Sequence, residues 1–283
     1  MLDFLLDPLA HPFMQRALLA SVLAGGLCAI VGCYVVLRGM AFLGDALAHA
    51  VLPGIAIAFL LGGDLFAAAL VTAILVALGI GYLGRSGRLH EDVAIGVVFS
   101  GAFALGVALI SSAPSYQTDL THILFGNVLG VTDRDLLLLI GLGMVVLVIV
   151  LALYKELLAF TFDPTFASSI KLPIEKLRYL LMVVLAVTVV VSLRTVGVGL
   201  VAALLVTPAA AASMLTRRLS RMMVVSALMG VASSAVGLYV SYYGDLSAGA
   251  SIVLTCTVLF LLALVFSPRG GMLARLRPER RSG

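Results

Sequence analysis

The chain has 283 residues, of which 62% are hydrophobic and 11% charged, with a formal net charge of +4. A soluble domain carries about 25% charged residues, so a water-soluble fold is excluded, and long uninterrupted apolar runs exclude the short alternating segments of a β-barrel. The basic residues flank apolar runs, which membrane orientation explains and a nucleic-acid partner does not.

The N-terminal segment carries Asp3 and Asp7 ahead of any basic residue, the reverse of a secretory leader, so no cleaved leader is expected. His11 has no neighbouring ligand partner in the sequence. A helical span needs about 20 apolar residues, and hydropathy predicts spans near 17 to 37, 42 to 61, 65 to 83, 93 to 112, 135 to 154, 178 to 196, 199 to 216, 222 to 240 and 248 to 266. The expected fold is all-α, a polytopic integral-membrane bundle of eight to nine transmembrane helices forming a single transmembrane domain over 1–283. The choice between eight and nine rests on 194–199, where Gly197 and Gly199 either separate two spans or bend one. Cys28, Cys33 and Cys256 lie inside apolar runs without a C-x-x-C pair and read as small packing residues.

The first span is uniformly apolar, whereas the second holds Gly44-Asp-Ala-Leu-Ala-His-Ala-Val-Leu-Pro-Gly54. A charged residue inside a membrane helix costs roughly 2.5 to 3.5 kcal/mol on insertion scales, so Asp45 needs a compensating role. Asp45 and His49 are four apart and share one helical face. A carboxylate and an imidazole on one face suit zinc, manganese or iron, whose charge offsets the desolvation of the acid. An ion pair that holds the bundle together, or a proton relay, fits the same two residues. Pro53, followed by Gly54, has no N–H to offer the His49 carbonyl, so a helix break is expected beside the pair.

Between the third and fourth spans, His90-Glu91 is followed by Ala94 where a zinc protease would need a second histidine. The fifth and sixth spans enclose the longest loop, about 155–178. There Asp163 is a helix cap, Pro164 a first-turn residue and Pro173 a stop, predicting a short helix near 164 to 171. Phe162, Phe166 and Ile170 recur at spacing four and leave an apolar ridge outside the membrane core. An interfacial helix lying on lipid is the plainer explanation of such a ridge. In the seventh span Ala202-Ala-Leu-Leu-Val-Thr-Pro208 faintly echoes the proline-interrupted segment at Asp45. The Arg-rich tail, about 268–283, is expected to lie on anionic headgroups. With nine spans and an external N-terminus, fifteen of the eighteen Lys and Arg residues fall inside, leaving only Arg16, Arg134 and Arg194 outside. This bias orients the C-terminus toward the cytoplasm.

The segment from Gly44 to Gly54 resembles the signature of the zinc, manganese and iron ABC importer permeases, Gly-Asp-x-x-(Ser or Ala)-His-Ala followed by a Pro-Gly pair. Leu124-Phe-Gly-Asn127, Phe162-Asp-Pro-Thr-Phe-Ala167, Leu204-Leu-Val-Thr-Pro-Ala-Ala210 and Ser247-Ala-Gly-Ala-Ser-Ile-Val253 match other pieces in the expected order. The resemblance implies a multi-pass protein of a prokaryotic plasma (inner) membrane. It implies a second permease subunit (a copy or a paralogue), cytoplasmic ATPase subunits and an external metal-binding protein. It makes Asp45 and His49 metal ligands on the path, with Asp119, His122 and Asn127 as an outer gate or delivery contact, although His122 also reads as an ordinary interfacial histidine. It makes the ridge of Phe162, Asp163, Pro164, Phe166, Ala167 and Ile170 the helix that couples to the ATPase. Lys171 stands where the family usually has glycine, which leaves the end of that helix open.

The chain lacks the G-x-x-x-x-G-K-[ST] phosphate loop, so it is expected to be a transport subunit without enzymatic activity or a resident cofactor, its metal being substrate. An ion-coupled secondary carrier and a permease for a metal chelate are the competing functions.

Overall fold

The computed structural model describes residues 7–85, 91–111 and 128–267. Asp3, His90, Asp119, His122, Asn127 and the tail from 268 lie outside the described residues. Among the described residues twelve α-helices run in chain order: α1 (Pro12–Leu37), α2 (Ala41–Ala50), α3 (Leu52–Leu61), α4 (Leu65–Arg85), α5 (Glu91–Ser111), α6 (Asp133–Ala152), α7 (Tyr154–Phe162), α8 (Pro164–Ser169), α9 (Ile174–Val196), α10 (Val198–Leu215), α11 (Leu219–Gly244) and α12 (Ala248–Phe266). Taking α2 with α3 as one broken span, nine stretches among the described residues are long and apolar enough to cross a membrane. An all-helical solution follows because hydrocarbon offers no partner to an unpaired backbone N–H or C=O.

Helix α1 is the central post, packed against α10, α11, α9 and α6, while α12 covers α10 and α11 on one side. On the other side α4 bridges α9 to α3 and α5, and α2 is wedged among α5, α10 and α9. Backbones approach closely where side chains vanish. A Cβ on Gly25 would stand 2.8 Å from the Gly230 carbonyl oxygen, so α1 and α11 touch through glycine, as small-residue helix pairs do in lipid. Lipid-side positions of the outer helices, such as Leu105, Leu137, Leu151 and Leu254, are more than half exposed. All three cysteines are free and buried, with Cys28 Sγ 3.3 Å from the Ser192 hydroxyl.

The open choice at 194–199 resolves as two spans. Gly197 has φ of +84°, which ends α9 and starts α10 one residue later, a backbone that a Cβ would strain. The echo between the two proline segments does not extend to structure. The helix is interrupted at Val51, ahead of Pro53, whereas α10 runs unbroken through Pro208.

The two ends of the bundle carry different chemistry. At one, Arg16 pairs with Asp133 at 2.8 Å, Arg134 with Asp64 at 3.6 Å, and Arg194 with the nearly buried Asp135. Asp135 also closes a capping box on α6, accepting the Thr132 backbone N–H at 3.1 Å and, in addition, the Thr132 hydroxyl at 2.6 Å. Asp64 caps α4, and the N–H groups of Ala67 and Phe66, helped by Arg134 and Arg194, hold its carboxyl below the usual range. Every arginine that the charge count placed outside is thus ion-paired to an aspartate of the same end. At the other end the Arg38 guanidinium lies 4.1 Å from the centroid of the Phe160 ring, and Arg85 lies 3.5 Å from Glu175.

The long loop is more ordered than the sequence predicts, because α7 fills its first part and buries Leu157 and Phe160. Helix α8 starts as expected: the Asp163 carboxylate accepts the Phe166 N–H at 2.8 Å, and Pro164 opens the first turn. It ends at Ser169, and Lys171 takes φ of +61°. The Leu172 N–H reaches the Ala167 carbonyl and the Lys171 N–H the Ser168 carbonyl, both at 3.0 Å. These two bonds make a Schellman terminus with lysine in the left-handed position where glycine is favoured. Left-handed backbone costs a non-glycine residue about 1 kcal/mol, so Lys171→Gly is expected to tighten this turn. Hydrogen exchange at the Lys171 and Leu172 amides should slow roughly fivefold; unchanged or faster exchange would contradict that geometry.

Candidate metal-translocation site

The site begins with helix α2, whose alanines let it sink among its neighbours. Leu43, Gly44, Ala46, Leu47, Ala48 and Ala50 are buried, leaving Asp45 and His49 on the remaining face with side chains 39% and 30% exposed. That face stays partly open, with α5 along one side of it. The His49 Nδ1 lies 3.0 Å from the Asp45 backbone carbonyl and 3.6 Å from its Oδ1. A carbonyl only accepts, so Nδ1 carries the proton of that bond and Nε2 keeps its lone pair, the arrangement usual in ligating histidines. Nδ1 is thus the ring nitrogen tied to the Asp45 turn, and Nε2 is the one left for a cation.

Phe99 and Phe103 on α5 wall the imidazole. Each ring centroid is 6.1 Å from that of His49, at interplanar angles of 75° and 70°. Phe42, one turn before Asp45, stands edge-on to Phe99 at 6.0 Å. The sequence reading did not single out these rings; inside an apolar span they look like lipid-facing residues.

The interruption that follows is built by close contacts. A Cβ on Gly54 would stand 2.7 Å from the Ala68 carbonyl oxygen and collide with the Thr72 hydroxyl. A Cβ on Gly106 would stand 2.7 Å from the Leu52 Cβ and 3.0 Å from the Pro53 nitrogen. Helices α4 and α5 therefore press directly on the break. The His49 carbonyl, which Pro53 cannot serve, receives the Val51 N–H instead of being left free.

Among the described residues no group of three or more His, Cys, Asp or Glu side chains is arranged to hold a metal. Asp45 and His49 supply at most part of a coordination sphere. At the far end of the bundle, Phe162, Phe166 and Ile170 are 59%, 55% and 51% exposed while Ala167 is buried beneath them. The ridge is therefore an apolar surface outside the spans. Phe162 also lines a groove with Leu37, Arg217, Arg218 and Met222, which joins the ridge to the ends of α1, α10 and α11.

Sequence and fold comparisons agree with this architecture. The manganese transport system membrane protein MntC of Halalkalibacterium halodurans is 46% identical over 275 residues, covering 97% of this chain and 94% of its own length. The chelated iron transport system membrane protein YfeD of Yersinia pestis is 42% identical over 261 residues, covering 92% and 88%. The solved structure of PsaBC from Streptococcus pneumoniae in complex with Fab superposes with a TM-score of 0.84 at 38% identity, covering 96% of this chain and 98% of that one. The profile of the ABC 3 transport family matches residues 10–267, and the chain belongs to that family.

Proposed function

We propose that this chain is the permease subunit of an ATP-driven importer that passes a divalent transition metal, manganese foremost, across a bacterial plasma membrane. The observation that carries this reading is the pair of Asp45 and His49, presented together on an unsealed face of a membrane helix beside a helix break. A carboxylate left against lipid would be costly, so the face is covered by a second permease subunit whose own donors complete the coordination sphere. Oxygen and imidazole donors suit manganese, iron and zinc alike. Manganese comes first because relatives of that name reach 46% and 44% identity, against 42% for the chelated-iron relative.

The ion arrives from an external binding protein at the end that holds Asp64, Asp133 and Asp135. It is held by Asp45 and His49, and leaves on the side of the ridge when ATPase subunits seated on α8 reorient the helices. Proteoliposomes containing the assembled importer test this directly. Manganese uptake should require ATP hydrolysis inside and the binding protein outside. Uptake driven by an ion gradient with the ATPase removed would replace this reading with a secondary carrier.

A further inference from the structure

We propose that Phe99 and Phe103 are positioning residues. They hold the His49 imidazole with Nδ1 on the Asp45 carbonyl and so make Nε2 the nitrogen that meets the cation. This inference rests on the metal site described above and adds the element that aims it.

The two rings are one turn apart on α5, and both stand nearly edge-on to the imidazole at the same centroid distance of 6.1 Å. Edge-to-face contacts of this kind are directional, and two of them from adjacent turns restrict a ring more than either does alone. Both contacts bear on the imidazole while its Nδ1 keeps the bond of 3.0 Å to the Asp45 carbonyl. Their own spacing of 5.8 Å leaves no room between them for a third ring.

Neither phenylalanine belongs to the chain's buried core. Phe103 is 36% exposed and Phe99 partly so, and the cluster sits where α5 meets α2 at the unsealed face. Phe99 packs against the edge of the core, and the rings that the pair meets there are those of His49 and, through Phe99, Phe42. Helix α5 is registered against α2 and α3 by the contact of Gly106 with Leu52 and Pro53, less than one turn beyond Phe103. The helix break therefore fixes the height of the aromatic pair relative to His49. A metal ligand needs its ring held by neighbours, and loss of such support typically weakens metal binding about 10- to 100-fold. Here the neighbours are apolar and act on orientation.

The test uses the full importer in proteoliposomes, with manganese as the probe, and the double variant Phe99→Leu/Phe103→Leu, which keeps apolar bulk and removes the flat rings. The KM for manganese should rise about tenfold while the maximal rate and the melting temperature stay at wild-type values. Phe103→Tyr, which keeps the ring, should restore the KM when paired with native Phe99. In 15N-histidine spectra of the assembled complex, the His49 signals should shift from a single Nδ1–H tautomer to a mixture in the double variant. An unchanged KM, a lower maximal rate at unchanged KM, or an unaltered His49 tautomer would each overturn the proposal. His49→Ala serves as the separate control: wild-type uptake by that variant would remove the metal site itself.

Discussion

His49→Ala is expected to abolish metal uptake, with the importer still assembled. The imidazole stands on the unsealed face of α2, 30% exposed, so truncating it opens no cavity in the packed core formed by Leu43, Leu47 and α10. What is lost is the nitrogen donor. Residues that merely support a ligand cost about 10- to 100-fold when removed, so removal of the donor itself should lower uptake beyond about a hundredfold. Asp45→Asn keeps the shape and removes the charge, and should fall in the same direction. Initial uptake rates in cells, read beside the size-exclusion profile of the purified complex, check both. Wild-type rates in His49→Ala would contradict the assignment.

Phe166→Asp is expected to leave the permease folded and to uncouple ATP hydrolysis from metal. The local scaffold does not depend on this side chain: Asp163 caps the helix, Ala167 is the buried contact, and the Schellman bonds close its end. The ring itself is 55% exposed, and the ridge it forms with Phe162 and Ile170 is the apolar feature that a groove on a motor subunit would accept. Truncating an aromatic anchor in an interface costs about 2 to 4 kcal/mol, which lowers affinity by about 30- to 1000-fold, and a carboxylate in an apolar groove adds to that. Metal-stimulated hydrolysis by the reconstituted importer measures it. Stimulation equal to wild type would place the motor contact elsewhere.

The spans were legible because hydrocarbon demands about 20 apolar residues per crossing, and that demand is written in composition. The start of α8 was legible for a local reason as well, since a cap acts within four residues of itself. What escaped is tertiary. Phe99 and Phe103 are two apolar residues in an apolar helix, and nothing in hydropathy separates a ring that meets His49 from one that meets lipid. Asp135, at the start of a span, is buried against Arg194. The Thr132-x-x-Asp135 spacing, a capping-box signal, was the available clue. Helix α7 was missed because Leu153, with φ of −100° and ψ of 23°, bends the chain with no glycine or proline to announce it. Lys171 shows the converse, a left-handed position that favours glycine but is held by a lysine because two hydrogen bonds fix it.

Within the site, residue type and spacing single out candidate donors but not their aim. Four residues along a helix place Asp45 and His49 on one face. Which ring nitrogen looks outward depends on the Asp45 carbonyl and on α5, some fifty residues away in sequence.

Pulsed electron paramagnetic resonance of manganese bound in the assembled importer probes the Asp45 and His49 pair most directly. Nitrogen coupling from a histidine ring should be present in the wild-type complex and absent from His49→Ala, while Asp45→Asn should weaken the binding that makes the signal observable. The same nitrogen coupling, at the same manganese affinity, in His49→Ala would mean that the ion is carried by other residues.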